Sequence, residues 1–301
     1  GVARAAERWF ASENDRVHAD PRTRVVLDDA RSYIRAGSQP FDVIVADLFV
    51  PWRAGTGALY SREHFENVRA RLREGGLFCQ WLALYQLTEA ELQTILTTFA
   101  DVFPDAVAFR GDFFGNHPIL ALLGGRDAVI DAPATSRAAG RLGTRIAEGS
   151  RLQPDRWVTH PFGPWALYAG PIGVVAAHWQ DAPRNTLDQP VIEFLAARQH
   201  AGGGAGQPRP FVGLSLSQLS RALRESADAA RMEPVRGFGP AERRAADGGH
   251  ALQTASALFT AGNPRDSASA LARAAALLPR ELLAEAPADP TAADVWHSEG
   301  Y

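Results

Sequence analysis

Ala106–Leu123 reads AVAFRGDFFGNHPILALL. It holds two apolar, strand-forming runs, Ala106–Arg110 and Ile119–Leu123, with no room for a helix between them. So short a connection cannot make a right-handed crossover, so the two strands must pair antiparallel. Upstream the pattern differs. Phe41–Asp47 (FDVIVAD) is a continuous apolar run ended by a carboxylate and reads as a buried strand. Ser61 then caps a helix through Phe65, Val68 and Leu72, which Gly75-Gly76 closes. Leu77–Leu84 reads as the next strand. Thr88 and Glu91 form a capping box ahead of Leu92, Ile95, Leu96 and Phe99 at helical spacing.

The reading extends outward in both directions. Val2–Phe10 is the end of a helix, stopped by Asn14 and Asp15. Arg24–Leu27 is a short β-branched strand, and Asp28-Asp29 leads into an amphipathic helix through Tyr33 and Ile34. The order α-β-α-β-α-β-α-β-β predicts an α/β fold with a doubly wound, mainly parallel sheet and an antiparallel end. That ending is the signature of the class I methyltransferase-type Rossmann-like sheet, and in that order the strands read here would be its third to seventh, with the first two missing. A partial domain is expected over residues 1–126 and a mixed connecting region over 127–213, with a linker near 201–210. A mainly α-helical C-terminal region follows over 214–301. There Leu214–Met232, Ala241–Ala261 and Pro264–Glu285 read as helices. Gly262, Ala274 and Pro279 fall at the spacing of a tetratricopeptide helix pair, with Leu258 and Leu271 at its apolar positions; the alternative is a plain helical appendage.

Composition narrows the function. The chain has 301 residues, 46% hydrophobic and 22% charged, which describes a globular protein. A formal net charge of −3 argues against nucleic-acid binding as the main task. All 31 basic residues are Arg, which excludes a Schiff-base lysine and a P-loop lysine. The one cysteine, Cys79, excludes an internal disulfide and a cysteine-rich zinc site. The longest apolar stretch, Pro164–Trp179, is too short and too broken by Gly and Pro to span a bilayer. The histidines show no metal-ligand spacing. Gly55 and Gly57 lack the third glycine of a phosphate cradle.

Open α/β sheets bind ligands beyond the carboxyl ends of their strands. Asp47 stands there and is the first candidate; the bland alternative is a turn or capping Asp. Asp28-Asp29 can accept from an adenine amino group beside the Ala30 N–H, or cap the following helix, or do one job each. Gln80 ends the next strand. Cys79 reads as a small buried hydrophobe rather than a nucleophile. Trp52, Tyr60, Trp81 and Tyr85 could flank a cationic ligand, or simply pack.

Residues 1–125 resemble the spermidine synthase (polyamine aminopropyltransferase) family, in its bacterial, often membrane-fused branch. The resemblance rests on GVARAAERWF, RVVLDDARSYI, FDVIVADLFVPW, ALYSREHFENVRARLREGGLFCQWLALYQLTEAEL and PILALLG. NTLDQPVIEFLAAR (Asn185–Arg198) resembles a segment that follows the catalytic domain in that branch. The resemblance implies transfer of an aminopropyl group from decarboxylated S-adenosylmethionine, a co-substrate rather than a bound cofactor, to a small amine. It implies Asp47 as the catalytic base and a nucleoside site of Asp28, Asp29, Ala30 and Leu48. It implies an acceptor pocket of Val50, Tyr60, Gln80 and Tyr85, with no metal. It is compatible with a homo-oligomer and with a cytoplasmic-side domain of a parent anchored in the inner membrane.

Departures from the family pattern accompany it. Val50 stands where a second Asp is usual, Leu48 and Phe49 replace small polar residues, and Leu82 replaces an acidic one. Phe113 and Phe114 are the nearest match to a pocket Tyr, and Ala30 replaces a Gly. Putrescine is therefore expected to be a poor acceptor. An S-adenosylmethionine-dependent methyltransferase and a non-catalytic interaction module remain the alternatives. The family's glycine loop and ribose carboxylate would precede Gly1. The 301-residue chain alone is therefore expected to bind no nucleoside usefully and to be poorly soluble. Arg24–Leu27 should be unpaired, or pair directly against Phe41–Asp47.

Overall fold

The computed structural model describes residues 2–12, 14, 16–149, 156–179, 181–202 and 211–284. The expected linker and the C-terminal end of the chain fall largely outside them, as does Asp15. The chain divides into two compact units, Gly1–Ser38 and Gln39–Tyr301.

In the first unit, helices α1 (Val2–Trp9) and α2 (Ala30–Ala36) form where expected. Arg24–Leu27 does not form the expected strand. Its unit contains no described strand for it to pair with, and Val25 and Leu27 stand exposed. A β-branched run without a partner has no ladder to satisfy its backbone.

The second unit begins with β1 (Phe41–Ala46), α3 (Arg62–Arg71), β2 (Leu72–Ala83), α4 (Glu89–Val102), β3 (Val107–Arg110) and β4 (Ile119–Gly125). β5 (Ile130–Asp131), α5 (Ala132–Gly149), α6 (Arg156–Thr159), α7 (Gly163–Leu167), β6 (Tyr168–Pro171) and α8 (Val175–His178) follow. The rest comprises α9 (Val191–Gly202), α10 (Leu214–Ala230), β7 (Val235–Arg236), α11 (Pro240–Thr260), α12 (Pro264–Leu277) and α13 (Arg280–Leu283). The main sheet has the order β1-β2-β4-β3-β6. β1 and β2 are parallel, and β2, β4 and β3 are joined antiparallel. The order β1-β2-β4-β3 is the 4-5-7-6 half of the methyltransferase-type sheet, so the expected fold class holds.

Three local expectations change. β2 starts at Leu72, not Leu77, and Gly75-Gly76 lies inside it rather than closing α3. Gly75 takes a positive φ of 75°, and the pairing with β1 jumps from Leu72 to Leu77 across this bulge. Gly75 and Gly76 bond there to the Arg126 backbone. β1, read as a buried strand, is a sheet edge with Val43 and Val45 exposed. The third C-terminal helix breaks at Leu278-Pro279 into α12 and α13. Ala274 of α12 is buried, whereas Leu271 is exposed.

The sheet buries a core on both faces: at β3, Val107 and Phe109 pack with Trp165 of α7, and under α3 and α4 lies an aromatic cluster. Phe65 of α3, Phe99 of α4, Phe103 just past α4 and Phe78 of β2 form a cluster of rings 4.9–6.2 Å apart. β6 extends the other end of the sheet, antiparallel to β3. The buried Arg110 ties these elements together. Its guanidinium donates to Tyr168 O at 2.8 Å and to Ser220 Oγ of α10 at 2.6 Å. Burial and the nearby Arg224 push its pKa down to about 9. No helix among the described residues is long and apolar enough to cross a membrane.

Candidate functional site

Asp47 follows β1 directly and is exposed. Its Oδ1 accepts from the Leu48 N–H at 2.8 Å. Beyond it the chain runs through Val50, Pro51 and Trp52 into a 3₁₀ turn over Thr56–Tyr60. Gln80 lies on the neighbouring strand, in register with Ala46. Its side chain is fully buried; Nε2 donates to Trp81 O at 3.0 Å, and Oε1 has no partner. A buried acceptor left unpaired is uncommon and calls for an explanation. Asp47, Leu48 and Val50 thus follow the carboxyl end of β1, and Gln80 lies inside β2 opposite the last residue of β1.

Other candidates sit differently. Tyr60 is buried in the core, edge-on to Phe49 at 5.9 Å, and hydrogen-bonded to the Phe49 backbone. Burial pushes its pKa above the ordinary phenol value. It is therefore a packing residue at the base of the loop, not an open aromatic wall. Tyr85 lies just past β2, edge-on to His117 at 5.2 Å. Cys79 is half-buried, and burial pushes its thiol up to about 11, which keeps it protonated and unreactive. Phe113 is buried against Trp157 at 4.7 Å, and the following Gly115 N–H donates to Ser256 of α11. That loop is thus committed to packing against the C-terminal helices.

Asp29 is the N-cap of α2, accepting from the Ser32 N–H at 2.8 Å, and Asp28 accepts from the Asp29 N–H at 2.8 Å. Both carboxylates and Ala30 are exposed. No group of three His, Cys, Asp or Glu side chains among the described residues is arranged to hold a metal.

Two features escaped the sequence. Asp112, two residues after Arg110 in sequence, is pushed up to about 7 by burial, although it accepts from the Phe114 N–H. The N–H groups of Gly55 and Gly57 converge on one carboxylate, that of Glu193. The phosphate-cradle reading was poor on spacing, and these two donors have an internal partner. A contact across this sequence separation leaves no local pattern, so nothing in the sequence could have announced it.

Residues 6–110 match the family model described as the spermine/spermidine synthase domain. Over those residues the chain is similar to the spermidine synthase family. The chain is similar to a polyamine aminopropyltransferase of Aeropyrum pernix, 40% identical over 87 residues, which is 28% of this chain and 27% of the relative. It is 27% identical over 110 residues to one of Serratia proteamaculans, covering 36% and 38% of the two chains. It is 24% identical over 171 residues to one of Korarchaeum cryptofilum, covering 57% and 51%. The matches thus span between about a quarter and a half of the length of these curated relatives. The matched domain takes in β1, β2 and β3 and stops at Arg110. β6 and the helices after it lie outside it.

Proposed function

We propose that this chain carries the acceptor side of an aminopropyltransferase site. It would act in polyamine biosynthesis on decarboxylated S-adenosylmethionine and a small amine. The observation that carries this reading is Asp47 at the carboxyl end of β1, inside the matched domain. The amine nitrogen attacks the methylene carbon next to the sulfonium. The carbon–sulfur bond breaks, methylthioadenosine leaves with the electron pair, and the amine proton passes to Asp47. An alkylammonium has a pKa of about 10, so a carboxylate base is needed for attack at neutral pH. The unpaired, buried Oε1 of Gln80 on the neighbouring strand fits a group that a bound substrate satisfies. In this reading Leu48 packs on the nucleoside. Val50 and Tyr85 line the acceptor side. Tyr60 supports it from below.

Val50 sets the substrate class. An apolar side chain beside Asp47 disfavours a second ammonium group, so the acceptor is an amine other than a compact dication such as putrescine. Val50 and Leu82 equally favour a second reading, a non-catalytic relative that serves as an interaction module. The two are separated by mass spectrometry of small molecules retained by the natively expressed protein. Methylthioadenosine is the expected species. S-Adenosylhomocysteine would replace the proposal with methyl transfer, and absence of any nucleoside would favour the interaction module.

A further inference from the structure

Asn185–Arg198, the second stretch that carries the family resemblance, has no part in the reaction above, yet it is bonded to the loop that follows Asp47. Glu193, in the first turn of α9, accepts from the Gly55 N–H through Oε1 at 2.6 Å and from the Gly57 N–H through Oε2 at 3.1 Å. Asn185 is fully buried. Its Nδ2 donates to Gly57 O at 2.8 Å, and its Oδ1 accepts from the Ile192 N–H at 3.1 Å. One amide side chain therefore joins the loop to the start of α9. The Asn185 backbone anchors the arrangement, donating to Thr98 Oγ1 of α4 at 3.0 Å and accepting from the Arg62 N–H of α3 at 2.9 Å.

The fit is close. A side chain at Gly57 would bring its Cβ to 2.7 Å from the Glu193 backbone nitrogen. Gly55 has open space around it but a φ of 82°, so the turn itself requires glycine there. Successive N–H groups in such a turn make an anion-binding concavity, and its occupant is this chain's own carboxylate. Bonds from backbone N–H to a carboxylate are shorter and roughly twice as strong as neutral ones. The loop is pinned a second time at its base, where the Tyr60 hydroxyl meets the Phe49 backbone. Val50 and Trp52 lie between the two pins.

We infer that Glu193, with Asn185, is a positioning residue: it latches the loop over residues 48–60, so that the acceptor side beside Asp47 is preformed rather than closed by the substrate. The acceptor clause rests on the function proposed above; the latch does not.

Hydrogen exchange read by mass spectrometry on the intact chain tests it, with Glu193→Ala and Gly57→Ala breaking the latch from opposite sides. Amide exchange over residues 48–60 should rise about tenfold or more in both variants, while α4 and β2–β4 keep wild-type protection. Asp188→Ala, an exposed change in the same segment, should leave the loop unchanged. Wild-type exchange of the loop in both variants overturns the latch. So does a rise shared equally by α4 and the sheet, which would make the segment ordinary core. In the natively expressed protein Glu193→Ala should raise the acceptor KM more than it lowers kcat, and Glu193→Gln, which keeps one acceptor oxygen, should recover part of the loss. A faster loop with an unchanged acceptor KM overturns the positioning role. Absence of aminopropyl transfer in the wild-type protein would instead count against the proposed reaction and leave the exchange result standing.

Discussion

Along β1 and β2 the two faces of the sheet carry similar sequences and meet different environments. Phe78 and Leu82 of β2 are fully buried under α3 and α4. Val43 and Val45 of β1 point into a face where Val45 is 61% exposed, and their register partners Leu77 and Cys79 are only half-buried. Along β2 the alternation of buried and half-buried residues follows the two-residue period of a strand. Nothing in the side chains of FDVIVAD distinguishes a covered strand from an edge. What differs is the covering layer: Phe65 of α3 and Phe99 of α4 lie over Phe78, and among the described residues β1 has β2 as its one strand neighbour. Apolar periodicity therefore reports the capacity to be buried, and coverage depends on elements far away in sequence.

Substitutions on the covered and the open side of β1 and β2 should differ in cost. The largest effect belongs to the covered face. Phe99 is fully buried and touches the rings of Phe65, Phe78 and Phe103. Phe99→Ala should cost about 3–5 kcal/mol, read as a lower urea midpoint at unchanged slope. A loss below about 1 kcal/mol would mean that this cluster does not hold the sheet together. On the open face, Val45→Thr should change stability by no more than about 0.5 kcal/mol. A cost of about 2 kcal/mol or more there would show that something covers β1 in solution, since only a buried methyl exchanged for a hydroxyl is that expensive.

How much was legible follows the same division between local and distant causes. Capping is local, and the Thr88–Glu91 box and the Ser61 cap both formed as read. The antiparallel closing pair was legible because a short connection admits only one geometry. β6 was not. Its sequence YAGP contains Gly170 at a φ of 144° and Pro171, residues that ordinarily mark turns, and it becomes a strand only because β3 offers an edge. The bulge at Gly75-Gly76 was misread as a helix end because glycine serves both purposes. At the candidate site, the place of Asp47 directly after β1 was legible, whereas Gln80, read as a strand end, lies three residues inside β2. The burial of Tyr60 was not, because an aromatic near a strand end packs inward or outward according to its partners, here Phe49.

The central claim is that Asp47 removes the acceptor's proton. Its direct test is the turnover of Asp47→Asn in the natively expressed protein, with decarboxylated S-adenosylmethionine and an amine acceptor. The account predicts a fall of about 10²–10⁴-fold, the range for loss of a general base, with nucleoside binding by that protein largely retained. Near-normal turnover in Asp47→Asn would contradict it.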